Sequence, residues 1–348
     1  MIAKSELKKS CFLLNGVLIL SAACAEKQNR PSISPASTEL TIADYCSPDE
    51  KLSQLRLSAL FNENEEEIPD SQVNSGQVAW ITLQKDTESH RFYSGVGRYG
   101  NCTGTLLYTS SLREAPAYII TNGHCVTSGL ISPSGLLLNQ TDSSGKKMYF
   151  NYYYGFSDES LEIIKGNKIA FASMDGTDAA IVELKATLGE LTDKGICPFK
   201  LSSQQVRKNM AVQVAGVPLS GVSSSLLGLR LSFCSLGDTV SLREGSYSFP
   251  ESFRHHCSIV GGNSGSPVIS SGKYEIVGLV NTAVNDSAEA QEACSLNKPC
   301  EISTDGSITT NSSENYGQPT DYLVGCFDES GTFDHHQSSC GIKARFGI

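Results

Sequence analysis

The sequence predicts an all-β protein, either a sandwich or a pair of barrels. Three observations point there. Short runs rich in Val, Ile, Tyr and Thr recur from about residue 75, turn residues separate them, and long helical periodicity is nearly absent. The runs fall at 78–83, 104–108, 117–121, 148–154, 179–184, 211–216, 229–233, 267–269 and 275–280. One stretch, 186–194, has helical spacing. No internal repeat is visible. Residues 284–320 are polar, rich in Asn, Ser and Glu, and hold Cys294 and Cys300; they read as a long surface loop held by disulfides.

The N-terminal part differs. Residues 1–25 place Lys4, Lys8 and Lys9 before a short apolar stretch and then small residues, the order of a secretory signal peptide. A cut before Cys24 would leave a thiol for lipid attachment, as in a lipoprotein. A cut after Ala25 would release a soluble chain. Residues 26–74 are polar and acidic and read as an extended leader or propeptide, with one amphipathic turn at 52–61 and a solvated acidic run at 63–67. The remaining unit is expected to span 75–348.

The chain has 348 residues, of which 39% are apolar and 18% charged, enough for a sizeable core. Its net charge of -10 excludes a mainly electrostatic nucleic-acid binder. Of 12 cysteines, Cys11 and Cys24 lie in the signal region. The ten that remain are Cys46, Cys102, Cys125, Cys197, Cys234, Cys257, Cys294, Cys300, Cys326 and Cys340. An even set in an exported chain reads as disulfides, and Cys46 is placed to tether the leader. Secreted, periplasmic or extracellular location is expected, with outer-membrane attachment only through a lipid at Cys24. Asn101, Asn139, Asn285 and Asn311 begin N-x-Ser/Thr sequons.

Three segments carry possible chemistry. His124 ends an apolar strand and is turned by Asn122-Gly123. Asp178 stands at the mouth of the apolar run 179–184. Ser264 sits in Gly261-Gly262-Asn263-Ser264-Gly265-Ser266-Pro267. A serine hydroxyl needs a base to become a nucleophile. An imidazole serves near neutral pH when a carboxylate fixes its tautomer. Glycines let backbone N–H groups turn toward a developing oxyanion, and Gly262 and Ser264 would supply them. Asp175 competes with Asp178, which directly abuts the strand. His255-His256 and His335-His336 are poor chelators, since neighbours on a strand face opposite ways. No metal and no cofactor is expected.

Thr121-Asn122-Gly123-His124-Cys125 resembles the Thr-Ala-Ala-His-Cys motif of chymotrypsin-like serine peptidases. Cys102-Thr103-Gly104-Thr105-Leu106, Thr177-Asp178-Ala179-Ala180-Ile181 and Gly262 to Pro267 are similar to its other signatures, the last nearest to bacterial glutamyl endopeptidases. The resemblance covers about 75–330. It implies two antiparallel six-stranded barrels with the site between them. Ser264 would be nucleophile, His124 general base and acid, and Asp178 the orienting carboxylate. Gly262 and Ser264 would form the oxyanion hole. It also implies a Cys102–Cys125 disulfide and a Cys257 bond to Cys294 or Cys300.

Asn263 stands where trypsin-like zymogens carry an Asp. Ser258, Ile259 and Val280 occupy the pocket positions, and none offers the charge or imidazole that selects basic or glutamyl residues. An apolar or small side chain is therefore the expected preference. The partner is a protein or peptide substrate, and a monomer is expected. The competing reading is a serine-peptidase-like binding or regulatory protein without activity. An α/β-hydrolase is disfavoured, because Ser266 breaks Gly-x-Ser-x-Gly and the His-Asp-Ser order is wrong for that fold.

Overall fold

Strand β1 (Ile81–Thr82) leads into two antiparallel sheets. The computed structural model describes residues 46–48, 80–127, 131–132, 135–282, 292–311 and 313–348. The signal, the amphipathic turn at 52–61, the acidic run at 63–67 and the Asn285 sequon lie outside these described residues.

The first sheet contains β2 (Val96–Tyr99), β3 (Cys102–Leu106), β4 (Pro116–Thr121), β5 (Leu136–Thr141), β6 (Lys147–Phe150), β7 (Glu162–Ser173) and β8 (Ala179–Thr187). Its order is β5-β7-β6-β2-β3-β4-β8. Pairing of β7 with β8 closes six of these strands into a barrel, with β5 outside on β7. Closure removes the exposed edges that an open sheet would leave. Helix α1 (Leu188–Asp193) follows β8 and confirms the helical spacing at 186–194. Thr187 and Glu190 form its capping box, each side chain accepting from the other's backbone N–H.

The second sheet contains β9 (Ala211–Gly216), β10 (Arg230–Glu244), β11 (Tyr247–His255), β12 (Pro267–Ser270), β13 (Ile276–Thr282), β14 (Cys300–Ile302), β15 (Ile308–Thr309) and β16 (Asn315–Pro319). Strands β11-β16-β13-β12-β9-β10 run in order, and β10 also pairs with β11. The expected pair of six-stranded barrels is therefore present. Strands β1 and β14 add to β10, and β15 to β14. Helix α2 (Ile342–Phe346) closes the chain.

Cores follow from the strand pattern. Ile120, Phe171, Ile181, Leu231, Ile269 and Leu279 are fully buried in one cluster, each worth about 1.5–3 kcal/mol against exposure. A second cluster fills the first barrel around Ile119, Met148, Phe150 and Val182. A third lies under the second barrel around Val212, Val214, Val268 and Val277.

Several readings are corrected. The segment 284–320 is not only loop: β16 lies within it, is largely buried, and bridges β11 and β13. The run at 148–154 ends as a strand at Phe150, because Asn151 takes a positive φ and breaks the ladder. Strands β5, β7 and β11 carry too many polar residues to read as apolar runs. Cys257 bonds Cys234, not Cys294 or Cys300, and those two bond each other. Strand β10 carries Cys234 to the Cys257 side, a proximity no local pattern reveals. His335 and His336 lie in a turn with ring centroids 3.9 Å apart, so opposed strand faces do not describe them. Cys326–Cys340 fastens the C-terminal segment, and Cys46–Cys197 fastens residue 46 to the folded unit.

Candidate active site

The site is built on two consecutive residues of β3. Cys102 bonds Cys125, next to His124. Thr103 reaches the serine turn: its N–H donates to the Ser264 carbonyl at 2.8 Å and its hydroxyl donates to the Gly262 carbonyl at 3.0 Å. The same hydroxyl accepts from the Val217 N–H at 3.0 Å. One strand of the first barrel thus holds both the histidine loop and the serine turn of the second.

The histidine loop and the acid loop are packed without slack. A Cβ on Gly123 would meet the Ser173 carbonyl oxygen at 2.0 Å, so only glycine fits. Asp178 accepts the His124 N–H at 3.0 Å through one carboxylate oxygen and faces Nδ1 at 2.6 Å with the other. Asn122 Nδ2 donates to the Asp178 carbonyl at 2.8 Å. Asp178 is 2% exposed on its side chain and His124 27%. Asp175 is exposed on the turn and binds Ser173, so Asp178 alone of the two faces the imidazole.

Burial pushes the His124 pKa down, but the charge and hydrogen bond of Asp178 outweigh it, and the pKa is raised. Asp178 holds Nδ1 and leaves Nε2 as the ring nitrogen it does not engage. Nε2 lies 4.0 Å from Cys102 Sγ.

Ser264 is half-buried. Around it the amides divide. Asn263, Gly265 and Ser266 donate to the Val260, Val280 and Asn263 carbonyls. The Gly262 and Ser264 amides donate to no acceptor among the described residues. Gly265 has φ +80°, and a Cβ there would meet Thr121 Oγ1 at 2.3 Å. The turn therefore abuts the strand that ends in the histidine loop.

The pocket positions fare differently. Ile259 and Val280 come together, but as members of the third core cluster. Ser258 is half-buried; its carbonyl accepts from Trp80 Nε1 at 2.8 Å and its N–H donates to Ser232 Oγ.

Other residues at the site come from distant segments. Lys146 Nζ donates to the Cys125 and Thr127 carbonyls and anchors the histidine loop. Arg345 donates to the Gly176 carbonyl at 2.9 Å, beside the acid loop, and packs on Tyr322. Glu244 accepts from Thr282 Oγ1 and the Asn297 N–H at 2.8 Å each. Burial raises its pKa, with a further upward push from Asp178, against those hydrogen bonds. Only chain folding brings these groups near, so no motif announces them.

Potential metal-ligand atoms converge at Cys102-His124-Cys125 and Cys234-His255-Cys257. In both groups the sulfurs are bonded to each other, so neither offers a thiolate.

Two antiparallel barrels joined by such a strand define the trypsin-like peptidase class. The profile of the trypsin-like peptidase domain matches residues 102–279, just over half of the chain, and the chain belongs to that family. No curated protein matches the sequence. Among solved structures, the MamO protease domain of Magnetospirillum magneticum is 12% identical, over 68% of this chain and 96% of that one, with a TM-score of 0.41. An M. tuberculosis protease in its active form is 11% identical, over 67% and 78%, with a TM-score of 0.40. A Glu endopeptidase is 17% identical, over 71% and 92%, with a TM-score of 0.39. Among the described residues, no helix is long and apolar enough to cross a membrane.

Proposed function

We propose that the chain is an exported serine endopeptidase acting through Ser264, His124 and Asp178. The observation that carries this reading is the convergence of the His124–Asp178 pair and the serine turn on Cys102 and Thr103. Ser264 Oγ attacks the scissile carbonyl carbon as His124 Nε2 takes its proton. Asp178 keeps the Nδ1 proton in place and stabilises the imidazolium. The Gly262 and Ser264 amides receive the oxyanion. His124 then passes its proton to the leaving amine, whose C–N bond breaks to leave an acyl-enzyme. Water, activated by the same imidazole, adds to the acyl carbon and frees Ser264.

Residues 1–25 act as a signal and 26–74 as a leader, ahead of the peptidase unit at 75–348. The Cys46–Cys197 disulfide means that a cut between 48 and 80 does not release the leader. Asn263 has no charge with which to pair a freed N-terminal amine. N-terminal sequencing of exported protein, reduced and unreduced, tests this: two linked chains are expected, and one intact chain contradicts processing. Ser258 carries no charge and Ile259 and Val280 lie in the core, so none of the three selects a charged residue, and a small or apolar residue before the scissile bond is favoured. A glutamate-only profile would contradict that.

The direct test is a peptide-library digest beside Ser264→Ala. Cleavage lost in the variant supports the reading. If neither wild type, with or without its leader, nor variant cleaves, the chain is a binding protein on this fold.

A further inference from the structure

A cavity of about 490 Å³ opens beside the serine turn, and the proposed chemistry does not use it. Gly261-Gly262 of the serine turn line it together with Arg98 and Asn101 of the first barrel. Leu219 and Leu227, from the 217–228 loop, supply apolar surface. The volume suits one or two peptide side chains.

Two features fix what it takes. The first is position. Asn101 precedes Cys102, whose Sγ lies 4.0 Å from His124 Nε2. The proton on Nε2 must reach the leaving amine, so the departing peptide lies on this side of the imidazole. A cavity between Asn101 and Gly262 is therefore on the leaving-group side of the scissile bond. The second is charge. Arg98 Nε donates to the Gly100 carbonyl at 2.8 Å and Nη1 to the Tyr152 hydroxyl at 3.3 Å, both neutral acceptors. Among the described residues no carboxylate pairs with it. Arg230, 2% exposed, lies against the same loop: Nη2 donates to the Leu226 carbonyl, and its guanidinium packs 5.1 Å from the Tyr154 ring centroid. It too has no carboxylate partner among the described residues. Two guanidiniums without acids stand at one loop of a chain whose net charge is -10.

We infer that this cavity is a leaving-side subsite that selects a carboxylate side chain, Asp or Glu, at the first or second residue after the scissile bond, with Arg98 as the selecting group. With Nε and Nη1 held by neutral acceptors, Nη2 is the donor left for a carboxylate, and the guanidinium keeps its full charge for it. Leu219 and Leu227 cover its methylenes. This inference rests on the peptidase reading of the site.

The test uses full-length processed protein and paired peptides that differ only in Glu, Gln or Lys after the scissile bond. Glu is expected to exceed Gln by about tenfold in kcat/KM, a charge-assisted bond discounted for a partly exposed partner. The ratio shrinks with added salt. In Arg98→Gln the Glu-to-Gln ratio falls to about one, and in Arg98→Glu the Lys peptide becomes the better substrate. Ratios within one variant are independent of how much of it folds. Equal use of Glu and Gln by wild type, or a Glu preference retained in Arg98→Gln, overturns the inference while the peptidase reading stands. Cleavage of no peptide by wild type overturns both. In that case binding of Glu and Gln peptides to Ser264→Ala, read by calorimetry, is expected to show no difference.

Discussion

Two histidines stand beside two disulfides of the same sequence separation, 23 residues, and do opposite things. His124 adjoins Cys102–Cys125, and His255 adjoins Cys234–Cys257, with ligand atoms in each group within 4.8 Å. His124 has Asp178 at 2.6 Å and an open face, and its pKa is raised. His255 is fully buried, has no acid paired with it among the described residues, and is pushed down to about 3 by burial and then by His256. The neighbouring sulfur does not distinguish them. A carboxylate and solvent access do: the proposed base has both, and the other imidazole is a neutral core side chain.

The largest effect is expected from removing that carboxylate. Asp178→Asn should lower kcat about ten-thousand-fold, because the imidazole loses its tautomer and its counter-charge. The acid limb of the kcat/KM profile in wild type should have its midpoint above 6.5, since His124 must be neutral to act and its pKa is raised. The variant's midpoint should fall. His255→Leu should leave that profile in place, and stopped-flow assays across pH check both.

Stability should separate the two histidines by sign. His255 has a folded pKa below its unfolded value of 6.5, so the native state binds fewer protons and loses stability as pH falls from 6.5 toward about 3. By about pH 4 the loss is about 3 kcal/mol, and His255→Leu should remove it in urea titrations. His124 runs the other way. Its raised pKa gives stability present below 6.5 and lost as pH rises through the folded value.

The two disulfides sharpen the contrast. Replacing either pair by Ala should cost about 3 kcal/mol, as their loops are equal in length. Only loss of Cys102–Cys125 should also lower kcat, because only that bond holds the histidine loop. Thr103→Val should cost about 1–3 kcal/mol by leaving the Val217 N–H without its acceptor, and should lower kcat with it. Among these disulfides the smallest loss, about 2 kcal/mol, is expected for Cys294–Cys300, whose separation is only 6.

What the sequence made legible was local. The His124, Asp178 and Ser264 segments are visible as candidates because each turn is written in contiguous residues, and the helical spacing at 186–194 marks α1 in the same way. Strand β16 was read as loop because its residues, Asn315–Pro319, have neither apolar run nor β-branched side chains; burial between β11 and β13 makes it a strand. The Cys234–Cys257 bond, the Lys146 and Arg345 anchors and the Arg98 cavity depend on the approach of segments distant in sequence. No window of sequence contains them. Ile259 and Val280 were legible as apolar, but not as core.

The central claim, that Ser264 is a nucleophile driven by His124 and Asp178, is tested most directly by the rate of fluorophosphonate labelling of the processed protein from acid to alkaline pH. The expected result is a single adduct on Ser264 whose rate rises with pH through a midpoint above 6.5 and collapses in Asp178→Asn but not in His255→Leu. No adduct at Ser264, or a rate indifferent to pH and to Asp178, would contradict it.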